Sequence, residues 1–560
     1  MDENEDAREP LLAREEAGAG GVADDEAGAG TGDGPQSATL GPVFRSYLVG
    51  QSAYGLRVSL WWVGLSPLML ALVGNENVLG AVRVAFNVAL LVVSPFAGVL
   101  AGRMKLEKIL TATTFGRGAI YVVLLPLLWL FFAAPFRVVD SPTTLFVLVV
   151  VLCFIDGIQV ALANVVDVDM GGTDILGAQK GLTVTDAMRN KLNSVFHICF
   201  DTSFLVFTPS VALLAWYIGE LAVDQGRSKE DEDALKSGVL VCTFAGVFLV
   251  TSLISLYCYI YGLGGAPDAE GDYQVAPGDE TELNEGANSA PANAQETAEE
   301  DSGILKSLWE GAVMTWSTRP IRWRLLFLGL EVAVEDAMVA VIVTEYAFTS
   351  HYFGDGDATR TNLFTALIVA VGKVGAVVAG FFMHSCWAVP TKKKGFRPLF
   401  ASVLLASASV WLLVVAYGLE RSAPNDIHGK TAWISRVLVF LSVTLFFLLS
   451  TAPKIGFETL LQGMVTSVEK GEKIFGFVGP FISIVDSIVV MGISLAFSMM
   501  KGNCSDGDFE CQSSHFLSAL SIIAAFYLAH GIFEALLGPR LMLPDDQDML
   551  NKMGLNQADN

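Results

Sequence analysis

His197 and Asp201 lie four residues apart in a run that is otherwise mostly apolar. Four residues is about one helical turn, so the two share a face and can exchange a proton or supply part of a metal site. Two ligands alone do not make a metal site, and a histidine hydrogen-bonded to a packing partner fits the same spacing. A second run repeats part of the pattern: Asp201 and Thr202 follow Phe196 at the interval by which Asp486 and Ser487 follow Phe481. An ionised carboxylate at the centre of a bilayer costs ~2.5–3.5 kcal/mol on insertion scales, so it is seldom kept without a partner or a task.

The most unusual apolar run lies between Leu330 and Phe348, which hold Glu331, Glu335, Asp336 and Glu345 between them. At about 100° per residue, Glu331, Glu335 and Glu345 fall on one stripe roughly 80° wide. Lipid cannot face such a stripe. Crowded carboxylates repel, so Glu335, between the other two, is expected to hold a proton most readily and to be a coupling group. The alternative is ion pairing with Arg57, Arg83 or Arg117, and one cluster can do both. Arg83, Arg117 and Lys373 are the cationic counterparts within or near apolar runs. Facing a cavity, they favour an anionic ligand or hold the carboxylates, whereas a side chain near a helix end, such as Arg83, can snorkel. Asp156, with Gln159 and Asn164, makes either an interhelical hydrogen-bond network or a polar wall.

The elements that carry these residues follow from composition. The chain is 52% hydrophobic and 17% charged, with a mean hydropathy of +0.51, which does not fit a soluble protein. A span needs about twenty apolar residues. Candidate spans 1 to 6 lie near 50–73, 78–101, 109–133, 143–165, 194–218 and 237–263, and spans 7 to 12 near 323–348, 362–385, 397–418, 433–452, 474–500 and 515–538. The expected fold is all-α and polytopic, with twelve transmembrane helices in two pseudo-symmetric six-helix bundles. The expected organisation is an acidic tail over 1–44, a bundle over 45–264, an acidic linker over 265–305, a bundle over 306–540 and a tail over 541–560. Arg83 and Lys373 then occupy equivalent spans of the two halves, as do Asp201 and Asp486.

The net charge of −23 is concentrated outside the spans. Residues 1–40 hold eleven acidic residues against Arg8 and Arg14, and 266–303 hold eleven against none. These segments read as solvated tethers rather than as a surface for a basic partner, and nucleic-acid binding is not expected. The first 40 residues contain no basic region followed by an apolar stretch, so no cleaved signal is expected. Loops after even-numbered spans carry seventeen Lys and Arg, including Lys180, Arg189, Lys392, Lys454 and Lys473, against about nine after odd-numbered spans. Both termini and the linker are therefore expected in the cytosol. Asn503 to Ser505 form a glycosylation sequon that this topology places outside. In the same loop Cys504 and Cys511 either pair in an oxidising lumen or stay free. Cys153, Cys199, Cys242, Cys258 and Cys386 read as small core residues.

The loop after span 2 contains Gly98, Leu100, Gly102, Arg103, Lys105 and Lys108. With six plus six spans and a cytosolic linker, it resembles the major facilitator superfamily, whose loop motif is G-x-L-x-D-R-x-G-R-R. Gly98, Leu100 and Arg103 match, Gly102 stands at the usual aspartate, and the closing Gly-Arg-Arg is imperfect. The resemblance implies a gating loop in which the glycine permits close helix contact and the charges latch the two halves. A smaller region, Gly55, Arg57, Gly74, Asn75, Leu79 and Val82, is similar to the ferroportin branch. That branch's metal-binding aspartate falls at Leu56 and a preceding histidine position at Gln51.

No nucleotide-binding loop, histidine–cysteine cluster or Ser-His-Asp arrangement is evident, so neither an enzyme nor a cofactor is expected. The reading is a secondary transporter of a small molecule or ion, by alternating access and with proton coupling at the span 7 carboxylates. The alternatives are a ferroportin-like divalent metal exporter, using His197 and Asp201, and a non-transporting receptor or scaffold on the same fold. The bilayer is the one partner that composition requires.

Overall fold

The structure, a computed structural model, describes residues 41–60, 77–132, 141–168, 171–224, 229–266, 304–354, 358–385, 397–466, 471–501 and 509–541. The expected tails and linker, Asn503 and Cys504 lie outside the described residues, apart from the few residues at their edges. Cys511 is disulfide-bonded.

The regular elements among the described residues are helices. In chain order they are α1 Pro42–Leu60, α2 Asn77–Arg103, α3 Leu106–Ala119, α4 Leu125–Phe132, α5 Pro142–Asn164, α6 Gly172–Gln179, α7 Asp186–Asp224 and α8 Lys229–Tyr257. There follow α9 Ile304–Ser317, α10 Arg319–Ala337, α11 Val343–Thr349, α12 Ala358–Ser385, α13 Arg397–Ser409, α14 Trp411–Ser422, α15 Lys430–Thr466, α16 Gly471–Lys501 and α17 Phe509–Leu541. Three π-helical turns, Ile120–Leu124, Cys258–Leu263 and Met338–Ile342, continue α3 into α4, extend α8, and join α10 to α11. Ser141 starts α5 by accepting a hydrogen bond from the Thr144 amide, with Pro142 preset for the first turn.

Nine described segments are long and apolar enough to cross a membrane. Of the other expected spans, span 1 runs beyond the described residues, span 2 keeps a shorter apolar stretch over Val84–Ser94, and span 7 is interrupted by its carboxylates. Apolar side chains on the outer helix faces are exposed, including Val250, Leu253, Phe381, Phe382 and Ile488, as a lipid-facing surface requires.

The elements at the site are longer than the expected spans. α7 has 39 residues and α15 has 37, well beyond the ~20 that cross a bilayer. Span 5 was expected from 194 and span 10 to 452, because an apolar window stops at the first charged cluster. The backbone continues helically through those charges once their side chains are paired. Lys454, counted above as a loop charge, is therefore an interior residue of α15. Arg324 likewise is buried and donates to the Leu460 carbonyl.

The hydrophobic core has three parts. One draws on both sequence halves: Phe44, Tyr47, Leu192 and Phe196 pack in one cluster with Leu325, Phe400, Phe457 and Leu460. A second belongs to the C-terminal half with Phe204 of α7, and a third, including Phe86, Tyr121, Phe244 and Phe248, lies wholly in the N-terminal half. The shared core lies where α1, α7, α10 and α16 begin and α2 and α15 end. The halves are thus fused at one end of the bundle and packed separately at the other.

Candidate functional site

α12 is where the halves meet most closely. Its small residues allow the approach: a Cβ on Gly380 would lie 2.7 Å from Cγ1 of Ile198 on α7, and one on Gly375 would strike the Thr444 carbonyl of α15. Lys373, two residues before Gly375, is buried. Its Nζ lies 2.9 Å from Oδ1 of Asp201 on α7 and 2.6 Å from Oε1 of Glu335 on α10. The other oxygen of Glu335 accepts from Nζ of Lys454 at 3.0 Å. Four charges of alternating sign, the buried Asp201, Lys373 and Glu335 and the half-buried Lys454, therefore join α7, α12, α10 and α15. The Lys373 ammonium also lies 4.2 Å from the ring centre of Phe447 and 5.2 Å from that of Phe204, a cation–π setting that replaces part of its lost hydration.

One turn towards the shared core, His197 Nε2 lies 2.8 Å from Oε2 of Glu458. Beyond it Asn193 donates to Thr459 and Gln462, Gln462 donates to the Val168 carbonyl, and Asn190 donates to that of Met383. This polar ladder runs along the same face of α7 and ends in the apolar shared core.

The structure divides the expected pair of His197 and Asp201. Both are buried on α7, but the histidine is engaged by Glu458 and the aspartate by Lys373, so they do not converge on a common ligand. The carboxylate stripe is also corrected. Glu331 and Glu335 are buried, whereas Asp336 and Glu345 are half-buried. The π turn Met338–Ile342 separates Glu335 from Glu345, so a register counted at 100° per residue does not hold across it. The nearest charges to Glu335 are two lysines rather than two glutamates.

Arg57 and Arg117 do not reach the span 7 carboxylates. Arg117 pairs with Asp156 at 2.6 Å and 3.1 Å, Tyr121 donates to the same carboxylate at 2.8 Å, and Arg57 donates to Ser252 and Ser255. Asp156 is thus held by Arg117 and Tyr121 within the N-terminal half. Asp486 is buried on α16, and its neighbour Ser487 accepts a 2.7 Å hydrogen bond from Asn87 of α2, a further polar tie between the halves. Gly98, Gly102 and Arg103 fall in the last turns of α2, and the side chains of Arg83 and Arg103 lie outside what the structure describes.

Four residues of the buried clusters were missed in the sequence: Lys454, Glu458, His530 and Glu534. The last two lie four apart in an otherwise apolar run, the same spacing that singled out His197 and Asp201. His530 Nε2 is 3.0 Å from Oε1 of Glu534 and 4.0 Å from Oε1 of Glu331.

No family model matches the chain, and no curated protein matches it in sequence. Solved structures do match. A D-xylose–proton symporter superposes with a TM-score of 0.52 at 15% identity, covering 90% of this chain and 98% of that one. The Escherichia coli xylose transporter in a partially occluded inward-open conformation gives 0.51 at 13%, covering 90% and 100%. A bacterial homologue of the iron transporter ferroportin, in an outward-facing state, gives 0.50 at 12%, covering 87% and 98%. Likeness at such low identity speaks for architecture: this chain is a multi-pass integral membrane protein with the all-helical fold of major facilitator superfamily transporters.

Proposed function

We propose that the chain is a secondary active transporter that moves a small solute or ion by alternating access of two halves, 45–264 and 306–540. Breaking and remaking the Asp201–Lys373 pair is a step of that cycle. The observation that carries the reading is this buried ion pair between the halves, its side chains 3% and 2% exposed. A buried pair adds little stability over well-packed apolar residues of similar volume, so its use as a switch between two packings is the better account of its position.

Lys373 is shared by Asp201 and Glu335, and Glu335 keeps Lys454 whatever Lys373 does. A proton delivered to Asp201 removes the charge that draws Lys373 across the interface, while the Lys373–Glu335–Lys454 part remains intact. α7 is then released from α12 and the fused end of the bundle can open. Proton coupling on this reading runs through Asp201, not through Glu335.

The tails and the 265–305 linker face the cytosol, so the fused end is the cytosolic end and the conformation is outward-facing. Tags at either terminus or within 266–303 are expected to be cleaved by protease only from the cytosolic side of intact cells or sealed vesicles. Cleavage from the other side overturns the orientation.

The test of function begins with a solute panel screened by thermal shift on purified protein and continues in liposomes with the solutes that bind. Asp201→Asn is expected to keep solute exchange and to lose accumulation driven by a pH gradient. Undiminished accumulation removes Asp201 from coupling. An absence of any alternating accessibility to cysteine labelling overturns the transporter reading.

A further inference from the structure

A second buried cluster lies one turn of α10 before Glu335, the centre of the charge chain. Glu331 of α10 meets His530 and Glu534 of α17, and the three are 3%, 7% and 0% exposed. One ligand atom from each lies within 4.8 Å of the other two. His530 and Glu534 are one turn apart on a continuous helix, so their side chains project to the same face of α17. Glu331 Oε1, Glu534 Oε2 and His530 Nδ1 are buried without a hydrogen-bond partner. Among the described residues no lysine or arginine lies within ion-pair distance of either glutamate.

We propose that Glu331, His530 and Glu534 form a binding site for a divalent first-row transition cation such as Zn2+ or Mn2+. With both carboxylates ionised beside a neutral imidazole the cluster carries −2, which one divalent cation cancels; without a metal the same neutrality takes two protons. Burial makes that charge expensive to leave uncorrected. An imidazole nitrogen with two carboxylate oxygens suits Zn2+, Mn2+ or Fe2+ and disfavours Mg2+ and Ca2+, which take oxygen ligands. At bonds of ~2.0–2.2 Å, ligand atoms of a tetrahedral ion stand ~3.3–3.6 Å apart. The separations of 3.0 Å and 4.0 Å from His530 to the two glutamates bracket that spacing, and the third lies within 4.8 Å. Three protein ligands leave a coordination position for water or an exchanging group. Glu331 also precedes Glu335 by one turn of α10, so a bound cation fixes the helix that carries the centre of the charge chain. This site is independent of which solute the chain carries.

The test uses the purified full chain, freed of its affinity tag and stripped with a chelator, titrated with Zn2+, Mn2+ and Mg2+ by calorimetry and melting. The expected result is one saturable site per chain for Zn2+ or Mn2+, a melting temperature raised by those ions and not by Mg2+. His530→Gln and Glu534→Gln are each expected to weaken binding by at least about tenfold. Without metal, Glu534→Gln should melt no lower than the parent chain, because it removes one of two uncompensated carboxylates. That control separates loss of a ligand from loss of the fold. No saturable binding, or equal binding in both variants, overturns the site. A melting temperature that responds to pH and to none of the ions also overturns it, leaving bound protons as what neutralises the cluster.

Discussion

Lys373 in the C-terminal half and Asp201 in the N-terminal half form a 2.9 Å ion pair that is almost completely shielded from solvent. Removing Lys373 strands the buried Asp201 carboxylate, whereas removing both leaves Glu335 with Lys454 and a packing problem. Lys373→Met is therefore expected to destabilise the protein by ~3–5 kcal/mol, and Lys373→Met combined with Asp201→Leu to recover part of that loss. Both variants are expected to lose coupled transport, since neither retains the switch. Melting curves of the two single variants and the double variant give the coupling energy. Additive effects would show that the pair is not formed in the membrane.

Glu335→Gln separates two uses of a buried carboxylate. The angular stripe read from the sequence makes Glu335 a proton carrier, for which Gln imitates the loaded state and exchange survives. The structure instead sets it between Lys373 at 2.6 Å and Lys454 at 3.0 Å. Neutralising it leaves Lys454 without this partner and Lys373 with Asp201 alone, so stability and exchange are expected to fall together. Uptake with and without a pH gradient, beside a melting curve of the same variant, reads the outcome. Exchange at the parent rate with an unchanged melting temperature would restore the carrier role.

The sequence makes the buried charges legible but not their partners. Asp201, Glu331, Glu335 and Lys373 stand out because each interrupts an apolar run, and burial of all four follows from the cost of facing lipid. Partnership depends on how helices far apart in the chain are rotated and offset, which one-dimensional periodicity does not carry. Lys454 and Glu458 were lost for a specific reason: a hydropathy window ends span 10 where the first charge appears, although α15 runs to Thr466. The π turn after α10 has no composition signal, and it alone breaks the register between Glu335 and Glu345. His530 and Glu534 could have been found by the spacing already applied to His197 and Asp201.

Arg117 and Asp156 give a contrast inside a single half. The pair is buried, closed by the Tyr121 hydroxyl, and stacked near Tyr54 and Phe248 at 5.3 Å and 5.8 Å from the ring centres. No element of the C-terminal half takes part in these contacts. Arg117→Met is expected to cost ~3–5 kcal/mol through the stranded aspartate. At matched amounts of folded protein, its gradient dependence should equal that of the parent chain. An altered dependence on the pH gradient would move this pair from scaffold to coupling.

Gly380 tests whether the fused end is a gate. At this position α12 and α7 are so close that even a methyl group would meet Ile198 Cγ1 at 2.7 Å and the Ser194 carbonyl at 3.6 Å. Gly380→Leu therefore acts as a wedge between the halves. Overpacking of a tight contact costs ~1–3 kcal/mol, and here the strain is relieved by opening the end rather than by unfolding, because the separate cores at the far end are untouched. The balance between the two conformations is then expected to shift towards the one open at the shared core. Met464, 4% exposed in that core, serves as the reporter when changed to cysteine in a cysteine-free background. Its labelling by a membrane-impermeant maleimide in inside-out vesicles should rise with the wedge in place, while a cysteine at the far end becomes less accessible. Equal labelling with and without the wedge, in protein that still melts cooperatively, would show that α7 and α12 are a fixed seam and that the halves move about some other contact.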